Sequence, residues 1–170
     1  LTAFHPDAMA AGLRAVLNGG APIVADVEMI CVGLSRPRLA HFGMATHHYI
    51  SDPDVIERAH AEGTTRAVQA MRKAQREGTL EGAIVGIGNA PTALLEVIRL
   101  IREEGVRPAL VVAMPVGFVS AAESKAEMMC VDNVPWIAIR GRKGGSTLVV
   151  AAIHALLGLA EGEQRREKVD

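Results

Sequence analysis

Gly82–Val119, GAIVGIGNAPTALLEVIRLIREEGVRPALVVAMPVGFV, reads as strand, Gly-bearing turn, helix, strand and second Gly-bearing turn. Ala83–Ile87 is a short unbroken apolar run with Ile and Val in it, the composition of a strand buried on both faces of a parallel sheet. Gly86, Gly88, Asn89 and Pro91 mark the turn, with Pro91 where a first helical turn tolerates a missing N–H. The helix then runs to about Glu104. Leu94, Leu95, Ile98 and Ile101 supply its buried face, Glu96, Arg99 and Glu103 its wet one, and Gly105 ends it. Ala109–Ala113 is the return strand, which completes a βαβ crossover. Ligands of open α/β sheets collect outside the carboxyl ends of the strands, so Gly88–Thr92 and Pro115–Ser120 are expected to wall one pocket.

Around this unit the chain is an alternation of the same kind. Pro6–Leu17 has a helical apolar face, and Ala21–Ile30 reads as a strand carrying Asp26 and Glu28 on one side. Paired acids there suit a metal or proton transfer, or else lie at the strand's exit and accept backbone N–H bonds. Gly33–Arg38 reads as a loop offering Ser35 and Arg36, and Met44–Ile50 as another strand, leading to a helix start at Ser51–Pro53. His47 and His48 are neighbours, so on a strand they face opposite ways and cannot chelate together.

Asp54–Glu77 is helical with a break at Gly63, which puts Thr65 and Arg66 at a helix N-terminus, where backbone amides and a guanidinium suit an anion. Ser120–Met129 is a short helix and Trp136–Ile139 a fifth strand. Thr147–Leu157 is a helix whose only polar member after Thr147 is His154, which suggests that one side packs against another subunit. Residues 1–160 therefore read as one α/β domain, a five-stranded, mainly parallel sheet with helices on both faces, flavodoxin-like or Rossmann-like. Residues 161–170 read as a charged, disordered tail.

The chain has 170 residues, 49% of them hydrophobic, a formal net charge of −1 and 3% aromatics. That balance argues against a nucleic-acid surface, which needs a basic face and stacking rings. No signal peptide or membrane span is visible, and the expectation is a cytoplasmic protein. The two cysteines, Cys31 and Cys130, lack partners at metal-ligand spacing and read as reduced, buried thiols; no metal site is expected. GIGNAP is half of a dinucleotide fingerprint, but Pro91 stands at the third glycine. In GRKGGS the Lys143 precedes the Gly pair, which excludes a Walker loop.

GNAPTALLEVI, MPVGFVSAAESK and GRKGGS, in this order, together with GAPIVADVEMICVGLSRPRL, HHYISDP and GTTRA, resemble the precorrin-8X methylmutase family over nearly the whole chain. The resemblance implies a homodimeric α/β isomerase of cobalamin biosynthesis. Such an enzyme moves a methyl group between adjacent ring C carbons of precorrin-8X or cobalt-precorrin-8, giving hydrogenobyrinate or cobyrinate, without a cofactor. GRKGGS and YISDP lean towards the cobalt-containing branch. A corrinoid is an apolar macrocycle fringed with carboxylates, for which Ser35, Arg36, Thr65, Arg66, Gly88, Asn89 and Gly117 are the expected substrate-binding residues. The family's proton-transferring His lies before the stretch matching Phe4–Met9, so no catalytic residue is named, and His41, His47 and His48 are not given the role. The alternatives are a nucleotide-binding α/β module and a non-catalytic tetrapyrrole carrier.

Overall fold

A computed structural model describes residues 1–168. In chain order the elements are β1 (Thr2–Phe4), α1 (Ala8–Leu17), β2 (Ile23–Ala25), α2 (Glu28–Gly33), α3 (Arg36–His41), β3 (Thr46–His47) and α4 (Pro53–Ala61). They continue with α5 (Arg66–Arg76), β4 (Ile84–Ile87), α6 (Pro91–Glu104), β5 (Leu110–Ala113), α7 (Ala121–Met128), β6 (Trp136–Ile139) and α8 (Ser146–Glu167). One sheet has the order β1-β6-β5-β4-β2-β3. All pairs are parallel except β1 with β6.

The central crossover forms as its pattern dictates. Every residue of β4 and β5 is buried, α6 starts at Pro91, and Gly105 closes it in the left-handed conformation, donating its N–H to the Leu100 carbonyl. One face of the sheet is covered by α4–α7, whose Met71, Leu94 and Ile98 pack on Val85 and Val111. The other is covered by α1, α2, α3 and α8, whose Val16, Ile30, Leu39 and Ile153 pack on Ile23, Ile84 and Val112. Val85 and Val111 point one way while Ile84 and Val112 point the other, the period of two that a doubly covered sheet requires.

Four expectations are corrected. The sheet has six strands, the sixth being β1 on the edge beside β6. The strand expected over Ala21–Ile30 is only Ile23–Ala25, because the chain turns at Val27 into α2; Glu28 therefore opens a helix and does not share a strand face with Asp26. The loop expected at Gly33–Arg38 holds the end of α2 and the start of α3. The boundary placed at 160 falls inside α8, which runs on to Glu167. Its charged end is held because Arg38 donates to both oxygens of Glu161, at 2.8 and 3.2 Å, and His41 bonds Gln164 at 2.8 Å. Val169 and Asp170 lie outside the described residues.

By length and composition α8 is apolar enough to cross a bilayer. Here Val149, Ile153, Leu156, Leu157 and Ala160 pack against the sheet instead.

Candidate active site at the carboxyl ends of the strands

Gly86 and Gly88 are glycines because α8 comes so close to β4. A Cβ on Gly86 would lie 2.8 Å from Val149 Cγ1, and one on Gly88 would lie 2.6 Å from Ser146 Cα. The Gly-x-Gly of the half fingerprint thus serves helix–strand packing. The Gly88–Ala90 turn is fixed from below by Asp26, fully buried at the exit of β2. Its carboxylate accepts the N–H groups of Gly88, Asn89 and Ala90 at 3.0, 2.8 and 2.7 Å. Burial pushes the Asp26 carboxyl above its usual range, and the three backbone donors pull against that. Of the two readings of the acidic pair, acceptance of backbone bonds is the one that holds, for Asp26 alone. These three amides already have an anion, so a phosphate at this turn would have to displace a buried carboxylate. That geometry disfavours a nucleotide.

Beside this turn the starts of α5 and α6 meet, with Thr65 Oγ1 3.2 Å from Thr92 Oγ1. Thr65 caps α5 by accepting the Val68 N–H at 3.1 Å. Arg66, the first residue of α5, is exposed, and among the described residues no carboxylate lies within ion-pair distance of it. Asn89 is exposed at the tip of its turn. Met114 donates its N–H to the Ile87 carbonyl at 2.8 Å, which brings the Pro115–Ser120 turn alongside, as expected for neighbouring strands. Gly117 has φ +145° and Ser120 φ +61°, left-handed backbone at both ends of a segment whose Phe118 and Val119 are 86% and 82% exposed. The third wall is Gly141–Gly145, lying so close that a Cβ on Gly144 would collide with the Met114 carbonyl oxygen.

Thr65, Arg66, Gly88, Asn89 and Gly117 therefore gather at one end of the sheet. Ser35 and Arg36 do not join them within the chain. The Ser35 N–H donates to His154 Nε2 at 3.0 Å, eight residues along α8 from the Ser146 that abuts Gly88, or about 12 Å down the helix axis. That bond also explains the lone polar residue of the apolar stretch. The N–H acceptor must be the unprotonated nitrogen, so His154 carries its proton on Nδ1.

The remaining candidates are elsewhere. His5 sits at the start of β6, its Nδ1 accepting the Asp7 N–H at 3.1 Å. His47 stacks on Tyr49 with ring centroids 6.3 Å apart, and His48 Nδ1 is buried without a partner among the described residues. Cys31 is half-buried, and burial raises its thiol; Cys130 is exposed, contrary to expectation. No group of three metal-ligating side chains occurs among the described residues. Sequence reasoning passed over Lys125, a fully buried lysine in the MPVGFVSAAESK stretch; a charged residue at an inward helical position of α7 was the available signal.

A separate apolar cleft of about 340 Å³ lies between β1, β6 and α8, lined by Phe4, Met9, Met114, Ile137, Leu148 and Leu156. It runs beside the exposed face of α8, where Leu148 and Leu159 are 40% and 48% exposed.

Residues 1–159 match the CbiC family, precorrin-8X methylmutase. The chain belongs to that family. It is 48% identical over 171 residues to the cobalt-precorrin-8 methylmutase of Leptospira interrogans serogroup Icterohaemorrhagiae serovar Lai, an alignment covering 98% of this chain and 77% of the relative. It is 52% identical over 158 residues to the cobalt-precorrin-8 methylmutase of Priestia megaterium, covering 93% and 68%. A crystal structure of the precorrin-8X methylmutase of Thermus thermophilus superposes with a TM-score of 0.87 at 48% identity, covering 96% of this chain and 78% of that one. Membership makes this chain an isomerase of cobalamin biosynthesis, a methylmutase acting on a corrinoid.

Proposed function

We propose that the strand-end site takes the cobalt-containing substrate, cobalt-precorrin-8, and that the methyl group moves between adjacent ring C carbons to give cobyrinate. The cobalt assignment is supported by the two relatives named above, whose names carry it. The binding assignment is carried by one observation: Arg66, exposed and with no ion-pair partner among the described residues, opens α5 beside Thr65, Thr92 and the Asn89 turn. A corrinoid offers apolar ring faces and peripheral carboxylates. The guanidinium at a helix start takes a carboxylate by charge-assisted hydrogen bonds, Asn89 and Gly117 shape the turns on either side, and exposed Phe118 and Val119 meet the ring. The migration stays within one molecule, so the protein's task is to hold the ring, exclude water and support proton donation to the conjugated system.

Absorbance titration with cobyrinic acid tests this reading, set against thermal-shift screening with NAD and ATP. Arg66→Ala is expected to weaken corrinoid binding by about one to two decades, from roughly 1.5–3 kcal/mol for a charge-assisted bond. Unchanged affinity would remove Arg66 from the site. Turnover of metallated against metal-free substrate decides the branch, and a preference for the metal-free one would reject the cobalt assignment.

The same reading includes a homodimer in the cytoplasm. Its support is the exposed apolar strip of Phe4, Leu148 and Leu159 beside the 340 Å³ cleft. Val150, within the same apolar stretch, packs on Gly33 and is not part of that strip. Leu148→Glu is therefore the informative change, with dissociation to monomers expected in sedimentation. A monomeric parent chain would remove the dimer.

Ser35 and Arg36 remain in the proposed substrate-binding set as a second group. Arg36→Ala weakening cobyrinic acid binding would keep them there, and an unchanged affinity would take them out.

A further inference from the structure

Lys125 is fully buried on α7, and among the described residues no carboxylate lies within ion-pair distance of its ammonium. Its recorded hydrogen bond is from Nζ to the carbonyl oxygen of Lys143, at 2.6 Å. Burying an ammonium without a counter-ion costs several kcal/mol by general estimates, and a methionine of similar length would fill the space without that cost. What the charge adds is a strong bond to one loop.

That loop, Gly141–Gly145, is fixed at further points. Gly145 donates its N–H to the Met114 carbonyl at 2.8 Å, and Gly117 donates to the Arg142 carbonyl at 3.4 Å. Gly144 approaches the Met114 and Pro115 carbonyls too closely for any side chain. Yet the side chains so firmly supported are exposed. Arg142 and Lys143 point to solvent with no ion-pair partner among the described residues, and the Arg142 guanidinium lies 5.5 Å from the centroid of the Phe118 ring. A solvated basic turn needs no buried ammonium beneath it.

We infer that Arg142 and Lys143 form a carboxylate-binding wall of the site, and that Lys125 is the positioning residue that holds this wall in place. The inference rests on the corrinoid reading and adds to it a second cationic wall, across the site from Arg66. Phe118 and the aliphatic stem of Arg142 face the ring while the two cationic heads take peripheral carboxylates. Burial also holds the Lys125 ammonium below its usual range.

The experiment is an absorbance titration with two probes, cobyrinic acid and its fully methylated ester, which keeps the ring and loses the charges. The parent chain should prefer the acid. The double variant Arg142→Gln/Lys143→Gln should bind the acid about tenfold to a hundredfold more weakly and the ester unchanged. Lys125→Met should show the same selective loss with a melting temperature equal to or above the parent's, since a buried unpaired charge is gone. Equal loss for acid and ester with a lowered melting temperature would make Lys125 a packing residue and overturn its positioning role. If Lys125→Met does not fold, the double variant, altered only at exposed side chains, still decides the wall: acid binding like the parent's overturns it. A parent chain that binds neither probe would overturn the corrinoid reading itself.

Discussion

The flank built from α5 and α6 and the rim at the strand ends use charge in opposite ways. On the flank, Arg72, Lys73 and Arg99 meet carboxylates. Glu96, nearly buried, accepts from Arg72 at 2.9 Å and from Arg99 at 2.6 Å; Arg72 also reaches Glu62, and Lys73 sits between Asp52 and Asp54. On the rim the buried charges, Asp26 and Lys125, bond only to backbone, and the exposed ones, Arg66, Arg142 and Lys143, have no ion-pair partner among the described residues. Charge on the flank joins helix to helix. Charge on the rim fixes loops and leaves Arg66, Arg142 and Lys143 free for a ligand.

The largest effect is expected where a rim charge is buried. Asp26→Ala leaves three turn amides without their acceptor, in a place where Gly88 is closed off from water. A loss of about 3–5 kcal/mol follows from one to two unsatisfied donors plus the lost charge-assisted bonds, and urea unfolding measures it. A loss below about 1 kcal/mol would mean that the turn holds itself, and Asp26 would cease to be its anchor.

Next is the flank. Glu96→Gln should cost about 1–3 kcal/mol by weakening two charge-assisted contacts and should leave cobyrinic acid binding untouched. It should also change the acid limb of stability. Burial pushes the Glu96 carboxyl up, but the guanidinium groups of Arg99 and Arg72 outweigh it and hold the carboxyl below its ordinary 4.5. A depressed folded value means that the stabilisation is complete above the unfolded pKa and is lost as pH falls through the folded one. Parent stability should therefore drop below about pH 4.5, and Glu96→Gln should flatten that drop. An identical pH profile in the two proteins would show that Glu96 is not a stabilising ion on the flank.

The same contrast explains what the sequence could and could not reveal. β4, α6 and β5 are legible because everything that specifies them is local: a buried run, Pro91 at the helix start, Gly105 at its end. The placement of Thr65 and Arg66 at a helix start follows from Gly63 and the cap in the same way. β1 is not legible, since three residues on an edge are a strand only because β6, at the far end of the chain, pairs with them. The α2 reading failed because Val27–Val32 has strand-like composition and its helical form is decided by packing against α8. The charged end of α8 is helical through Arg38–Glu161 and His41–Gln164, contacts with a helix that the sequence reading had as a loop. Lys125 and Asp26 were visible as residues, but that each is buried and bonded to one particular loop is a fact of the tertiary fold.

The smallest effect sharpens the comparison most. Arg66 is the first residue of α5, where the aligned peptide dipoles already carry positive charge and the first turn contains no acid. A cation there is unfavourable by about 0.3–1 kcal/mol, and alanine is the better helix former. With no ion-pair partner among the described residues to lose, Arg66→Ala should stabilise the protein by a few tenths of a kcal/mol to about 1 kcal/mol in urea unfolding, even as it weakens corrinoid binding. Arg72→Ala, six residues along the same helix, should do the reverse: it loses the bonds to Glu62 and Glu96, lowers stability and leaves binding alone. High salt should reduce the Arg66 gain, because the dipole effect at an exposed helix end is screened. A loss of stability in Arg66→Ala would mean that Arg66 makes a structural contact, and the division of charge between scaffold and site would then fail at its most exposed point.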